Sequence, residues 1–165
     1  MTPSAEENID LLDGLPIGVV VTSIGRTIGE GEFMLLHTLS WSFSELHTNR
    51  ELMINTEYGE RLLAGPMLTA VVAGLHSSGG HFDDLRSKFN IKFLAVMGIE
   101  AKYRSPVIPG DTIWVDTTLE SARVSKSQPG SGVMVFLDIA RNQRDEVVLE
   151  MHRPMLFTRH AANTE

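Results

Sequence analysis

One histidine, His47, stands in a stretch of Ser, Thr, Asn and Glu, and eighteen residues later Gly65-Pro66 opens the apolar run Met67-Leu68-Thr69-Ala70-Val71-Val72-Ala73-Gly74-Leu75. An imidazole has an unperturbed pKa of about 6.5 and exchanges protons near neutrality. A helix beginning at Gly65 presents free amides and the positive end of its dipole, which suits a developing oxyanion. Pro66 in the first turn withdraws no donor that the helix needs. A base paired with an oxyanion hole is the chemistry this spacing allows. Taken singly, His47 reads as a solvated loop histidine and Gly65-Pro66 as ordinary helix-start punctuation.

The elements that must hold these groups follow from composition and periodicity. A chain of 165 residues, 42% hydrophobic and 21% charged, has the balance of one globular domain, and a chain of that length buries about 70% of its unfolded surface. Residues 15–160 are expected to form it, with 1–14 as a flexible, acidic N-terminus. With no cysteine, disulfides, thiolate metal sites and a cysteine nucleophile are excluded. The net charge of −7 argues against a partner that is nucleic acid. A polyanionic ligand retains a possible basic cluster in Lys92, Lys102 and Arg104. The apolar runs stop short of the roughly 20 residues that cross a membrane, and no signal peptide is evident. A cytoplasmic protein without membrane contact is expected.

Val19-Val20-Val21-Thr22 has strand character. Phe33, Met34, Leu36 and Leu39 recur at three-to-four spacing and predict a helix from Glu30 to Leu39, with Glu30 and Glu32 favoured near its start. Residues 40–59 read as an irregular segment with a helical turn near Arg50 to Ile54, and Met67 to Leu75 as a buried helix ended by His76-Ser77-Ser78-Gly79-Gly80. Everything after that reads as sheet: Phe89, Ile91 and Phe93 alternate with Lys88, Asn90 and Lys92, a bend falls at Gly98, and strands follow at Thr112 to Leu119, Val133 to Ala140 and Val147 to Phe157. Turns fall at Pro109-Gly110-Asp111 and at Asn142 to Asp145. The class is α+β, an antiparallel sheet wrapped around a central apolar helix, with a homodimer as the simplest way to protect the sheet edges.

These residues resemble the MaoC-like dehydratases, which include the R-specific enoyl-CoA hydratases. The likeness runs through Leu15-Pro16-Ile17-Gly18, Gly25-Arg26-Thr27, the segment Leu39-Ser40-Trp41-Ser42-Phe43-Ser44-Glu45-Leu46-His47-Thr48-Asn49, then Leu63-Ala64-Gly65-Pro66-Met67-Leu68, Ser105-Pro106-Val107-Ile108-Pro109-Gly110-Asp111-Thr112 and Ala140-Arg141-Asn142-Gln143. It implies a hot-dog fold and the reversible addition of water to the double bond of an acyl-CoA or acyl-carrier thioester, with no cofactor and no metal. It also implies His47 as the base that holds the water and the Gly65 amide as donor to the thioester oxygen. The family pattern has an aspartate five residues before the histidine, where this chain has Ser42. It has Asn-Pro where this chain has Ser44-Glu45, commonly an aspartate at Asn49, and a glycine at Asp145. A serine hydroxyl orients water but does not take its proton. His47 acts alone, Glu45 takes the role, or a partner subunit completes the site.

Three functions remain on this reading: a hydro-lyase, a non-catalytic acyl-binding subunit of a heteromeric dehydratase, and a thioesterase on the same fold. Thr69 and Ala73 on the central helix would shape the acyl pocket. His37 reads as a structural residue, Trp41 and Trp114 as core or interface aromatics. His76 and His81 lack a third ligand at regular spacing for a metal.

Overall fold

The computed structural model describes residues 11–159, and most of the N-terminal segment read as flexible, residues 1–10, lies outside them. Seven strands form one antiparallel sheet: β1 (Val20–Thr22), β2 (Arg26–Thr27), β3 (Ile91–Val96), β4 (Glu100–Tyr103), β5 (Thr112–Val124), β6 (Ser131–Asn142) and β7 (Val147–Arg159). Their order is β1-β5-β6-β7-β3, with β2 also on β5 and β4 also on β7. The three long strands pair as a meander, joined by the loop 125–130 and by the turn at Asn142 to Asp145. Both edges are therefore made of two short strands with a break, the second break falling at the expected Gly98 bend. Broken edges resist indiscriminate strand pairing.

Five helices lie wholly within the described residues: α1 (Glu30–Ser40), α2 (Glu45–Thr48), α3 (Arg50–Met53), α4 (Gly65–Ser78) and α5 (His81–Phe89). The central helix α4 runs three residues beyond the expected end, about 21 Å at 1.5 Å per residue. It buries Leu68, Val72, Leu75 and His76 on one face, against Ile113, Val115, Ala140, Leu149 and Met151 of the sheet. Pro66, Ala70 and Gly74 are exposed, so the helix that composition makes apolar nearly all round is covered by the sheet on one side.

The segment 81–89, read as an approach to sheet, is helix. Phe82, Leu85 and Phe89 stand three and four apart, which fits a helical face as well as any strand alternation, and all three pack into one apolar cluster. Asp83 and Asp84 occupy the first turn, Lys88 reaches back to Asp84 at 3.0 Å, and Asn90 ends the helix in the left-handed region. The strand begins at Ile91.

Two apolar clusters lie on the same inner face, one around the first half of α4 and one, with Leu119, Met134, Phe136, Met155 and Phe157, under α5. Leu11 is buried in the second. Between them runs a polar stripe, one residue from each long strand: Thr117, Asp138 and Arg153, all buried. Among the described residues no helix is long and apolar enough to cross a membrane.

Candidate functional site

The segment after α1 is shaped by an unusual cap. Trp41 ends the helix in the left-handed conformation, φ 59° and ψ 26°, its amide donating to the His37 and Thr38 carbonyls. That is the place where glycine is ordinarily favoured. Trp41 is 82% exposed, so of the two places expected for it, core or interface, the core of this chain is not one. Trp114, half-buried, lies across Gly25, where an added Cβ would sit 2.4 Å from its indole nitrogen. The turn at Trp41 brings Ser42 back onto α1: its amide donates to the His37 carbonyl at 3.0 Å, and its hydroxyl receives the Ser40 hydroxyl at 3.1 Å.

His47 sits on the short α2, half-buried. Its Nδ1 lies 2.7 Å from the Leu62 carbonyl, which only an N–H can satisfy, so Nδ1 carries a proton and in the neutral ring the lone pair falls on Nε2. The ring stacks on His37 with centroids 4.9 Å apart and planes 14° from parallel. No carboxylate of the described residues is bonded to His47. Glu45 instead receives the Asn49 amide at 3.2 Å, and the Asn49 side-chain oxygen caps α3 through the Leu52 amide. Asn49, standing where the resembled pattern has an acid, is thus a helix cap.

Gly65 begins α4 as expected, with Pro66 in the first turn. Its amide has no hydrogen-bond partner among the described residues. Packing calls for glycine here: an added Cβ would lie 2.7 Å from the Tyr103 ring. The Tyr103 hydroxyl in turn lies 2.9 Å from the Thr69 hydroxyl. Thr69 is therefore engaged with Tyr103, while Ala73 packs on the core cluster. A cavity of about 410 Å³ opens beside Gly65, walled by Tyr58, Leu62, Leu63, Leu68, Tyr103 and Val107. Leu62, whose carbonyl fixes His47, is part of that wall.

Two residues that sequence reasoning left as structural or unremarked hold this assembly. His37 is fully buried; its Nδ1 donates to the Phe33 carbonyl at 2.8 Å and its Nε2 accepts the Ala64 amide at 3.1 Å. Burial keeps its pKa below the ordinary 6.5, the Phe33 carbonyl pulling the other way and the nearby His47 and Arg61 adding to the lowering. Arg61, also buried, clamps Glu30 of α1 at 2.8 Å and Glu60 at 3.0 Å, with its guanidinium 5.4 Å above the Phe33 ring. The pair ties α1 to the strap 61–64 that precedes α4. A signal for His37 existed: it stands four residues after Phe33, on the same inward face of α1.

The basic trio does not form one cluster. Lys92 faces Thr158 and Lys102 faces Glu150, eight residues apart along β7, while Arg104 is paired with Glu150 at 2.7 Å and Lys102 with Glu100 at 3.6 Å. His76 and His81 lie in the buried stripe region instead of bracketing an open loop: His76 Nδ1 is 2.7 Å from Asp138, which also receives Thr117 at 2.6 Å and Arg153 at 2.9 Å. No three His, Cys, Asp or Glu side chains among the described residues cluster as a metal site would.

No model of a known protein family and no curated protein matches the chain. Solved structures do. A monoamine oxidase regulatory protein from Archaeoglobus fulgius is 23% identical, with 92% of this chain and 95% of that chain covered and a TM-score of 0.78. A MaoC-like dehydratase from Rhodospirillum rubrum is 22% identical over 92% and 99%, TM-score 0.72. A Mycobacterium tuberculosis protein with a double hot-dog fold is 18% identical, and 94% of this chain covers 46% of it at a TM-score of 0.70. Identities this low speak for architecture alone. The chain has the hot-dog fold, the architecture it shares with solved MaoC-like dehydratases and R-hydratases.

Proposed function

We propose that the protein is a hydro-lyase of the MaoC-like type, adding water reversibly to an enoyl thioester of coenzyme A or an acyl carrier, with His47 as its base. The observation that carries this reading is that the carbonyl of Leu62, a wall residue of the cavity beside Gly65, holds Nδ1 of His47 and so turns the Nε2 lone pair to the open side, three residues before the helix-start amide of Gly65. The thioester oxygen would accept the Gly65 N–H, which gains strength as enolate charge develops. Nε2 of His47 would take the proton of a water held with Ser42. After carbon–oxygen bond formation the imidazolium would return that proton to the α-carbon. Leu62, Leu68 and Val107 would line the acyl group.

Mixing the purified protein with crotonyl-CoA and with longer, branched or dicarboxylic enoyl-CoA esters should bleach the conjugated thioester absorbance, and His47→Ala should stop it. Silence across the panel would reject the reading. Ser42→Asp, which supplies the acid of the resembled pattern, should raise the rate.

The absence of a bonded carboxylate at His47 supports a second reading, an acyl-binding subunit that works only beside a partner bearing the complete acid and base. It predicts thioester binding without turnover until that partner is added. A thioesterase would release free thiol from a saturated acyl-CoA. On assembly, the exposed Leu94, Val96, Met97, Ile99 and Tyr103 along the β3–β4 edge favour a second copy of the chain across that edge, and light scattering should return twice the mass of 18.2 kDa. A cytoplasmic, membrane-free protein in one domain accords with this reading.

A further inference from the structure

The three groups assigned to the site come from separate stretches of chain, and each is attached to one residue. The His37 carbonyl receives the Ser42 amide. Its ring face carries the His47 ring. Its Nε2 receives the amide of Ala64, the residue before Gly65, and so holds the strap whose Leu62 carbonyl fixes the His47 tautomer. We propose that His37 is the positioning residue of the site, a permanently neutral imidazole that sets Ser42, His47 and the start of α4 relative to one another.

Neutrality follows from the bonding. Nδ1 donates to Phe33 and Nε2 must accept from Ala64, so the ring has no place for a second proton. Protonation would set an N–H against the Ala64 N–H and release the strap. A neutral ring beneath His47 also matters when His47 becomes an imidazolium, since a cation is stabilised over an aromatic face and opposed by a second charge. This role rests on the hydro-lyase reading for its purpose, but not for its geometry.

The test reads both. Long-range ¹H–¹⁵N spectra of the wild-type protein should show His47 in the single Nδ1–H tautomer, and His37 with an unprotonated, hydrogen-bonded Nε2 down to pH 6. His37→Gln keeps an acceptor for Ala64 but removes the ring face; His37→Phe keeps the face but removes the acceptor. In each, His47 should populate both tautomers or broaden, and kcat on an enoyl thioester should fall about 10- to 100-fold with KM little changed. Sharp, single-tautomer His47 signals in both variants would overturn the proposal. So would a wild-type His37 that carries charge at pH 6, a measurement that needs no variant to fold. Loss of the fixed tautomer in a protein that turns over no thioester would leave the positioning role standing and remove the hydro-lyase reading instead.

Discussion

The two ends of α4 each carry a pair of histidines, and the pairs are built in opposite ways. At the rear, His76 bonds Asp138 while Thr117 and Arg153 complete the carboxylate's shell, an acid–base dyad by geometry. Yet Phe82 and Phe136 close over His76 at 4.3 and 5.1 Å, and His76 and Asp138 have no exposed side-chain surface. At the front, His47 has no acid partner among the described residues but is half-open, its Nδ1 on the carbonyl of Leu62, which walls the cavity beside Gly65. Dyad geometry alone does not mark a site; access does. The rear carboxylate and guanidinium neutralise each other inside the sheet, while the front imidazole is half-exposed.

Breaking the rear pair is expected to have the largest effect on stability. Asp138→Ala leaves Arg153 charged and His76 without its acceptor in an apolar surround, at a cost of about 3–5 kcal/mol, read from the urea midpoint. His47→Ala at the front should leave the unfolding free energy within about 1 kcal/mol while lowering the proposed hydration about 10²- to 10⁴-fold. If the two variants exchanged these effects, the assignment of the ends would be reversed.

Acid sharpens the contrast. Burial lowers the pKa of His37, His76 and His81, so below the ordinary 6.5 the unfolded chain takes up protons that the native state refuses. Stability is therefore complete above that value and falls as pH drops, by up to about 1.4 kcal/mol per histidine per pH unit. Asp138 and Asp111 are held below the ordinary 3.8 by the groups that bond them, His76 foremost for Asp138 and Arg144 for Asp111, against the opposing pull of burial. Their contribution is present above 3.8 and is lost between that value and their lower native ones. Urea midpoints from pH 7.5 to 3 should fall in these two stages, and a flat profile between 7 and 5 would show that the buried histidines charge within the fold. The smallest effect is expected at Trp41. Its left-handed conformation costs about 1 kcal/mol relative to glycine, so Trp41→Gly should raise the midpoint by about that much, seen in the same titration.

Much of the scaffold was legible. The three-to-four spacing from Phe33 to Leu39 marks α1, Gly65-Pro66 marks the start of α4, and the long strands follow their alternation. The resemblance drawn on the ordered segments from Leu15 to Gln143 led to the fold now seen. Helix α5 was not legible because Phe82, Leu85 and Phe89 precede Ile91 and Phe93, and a helical face that runs into a strand gives one mixed pattern. The polar stripe left a fainter trace: Thr117 shares the parity of Val115 and Leu119, Asp138 that of Phe136 and Ala140, and Arg153 that of Met151 and Met155. A charge at an inward position signals a buried partner, though not which one.

By itself the sequence determined what depends on neighbours along the chain, namely which segments are helical or extended, where turns fall, and that His47 and a helix start lie close in order. Tertiary structure alone decided which side chains meet across α1, the strap and the sheet. It set the Ala64 amide on His37, gave the Leu62 carbonyl to His47, and shut the Asp138 dyad away from solvent. Periodicity fixes the face a residue shows, whereas its partner and its access to water depend on elements brought together from 15 to 62 residues away.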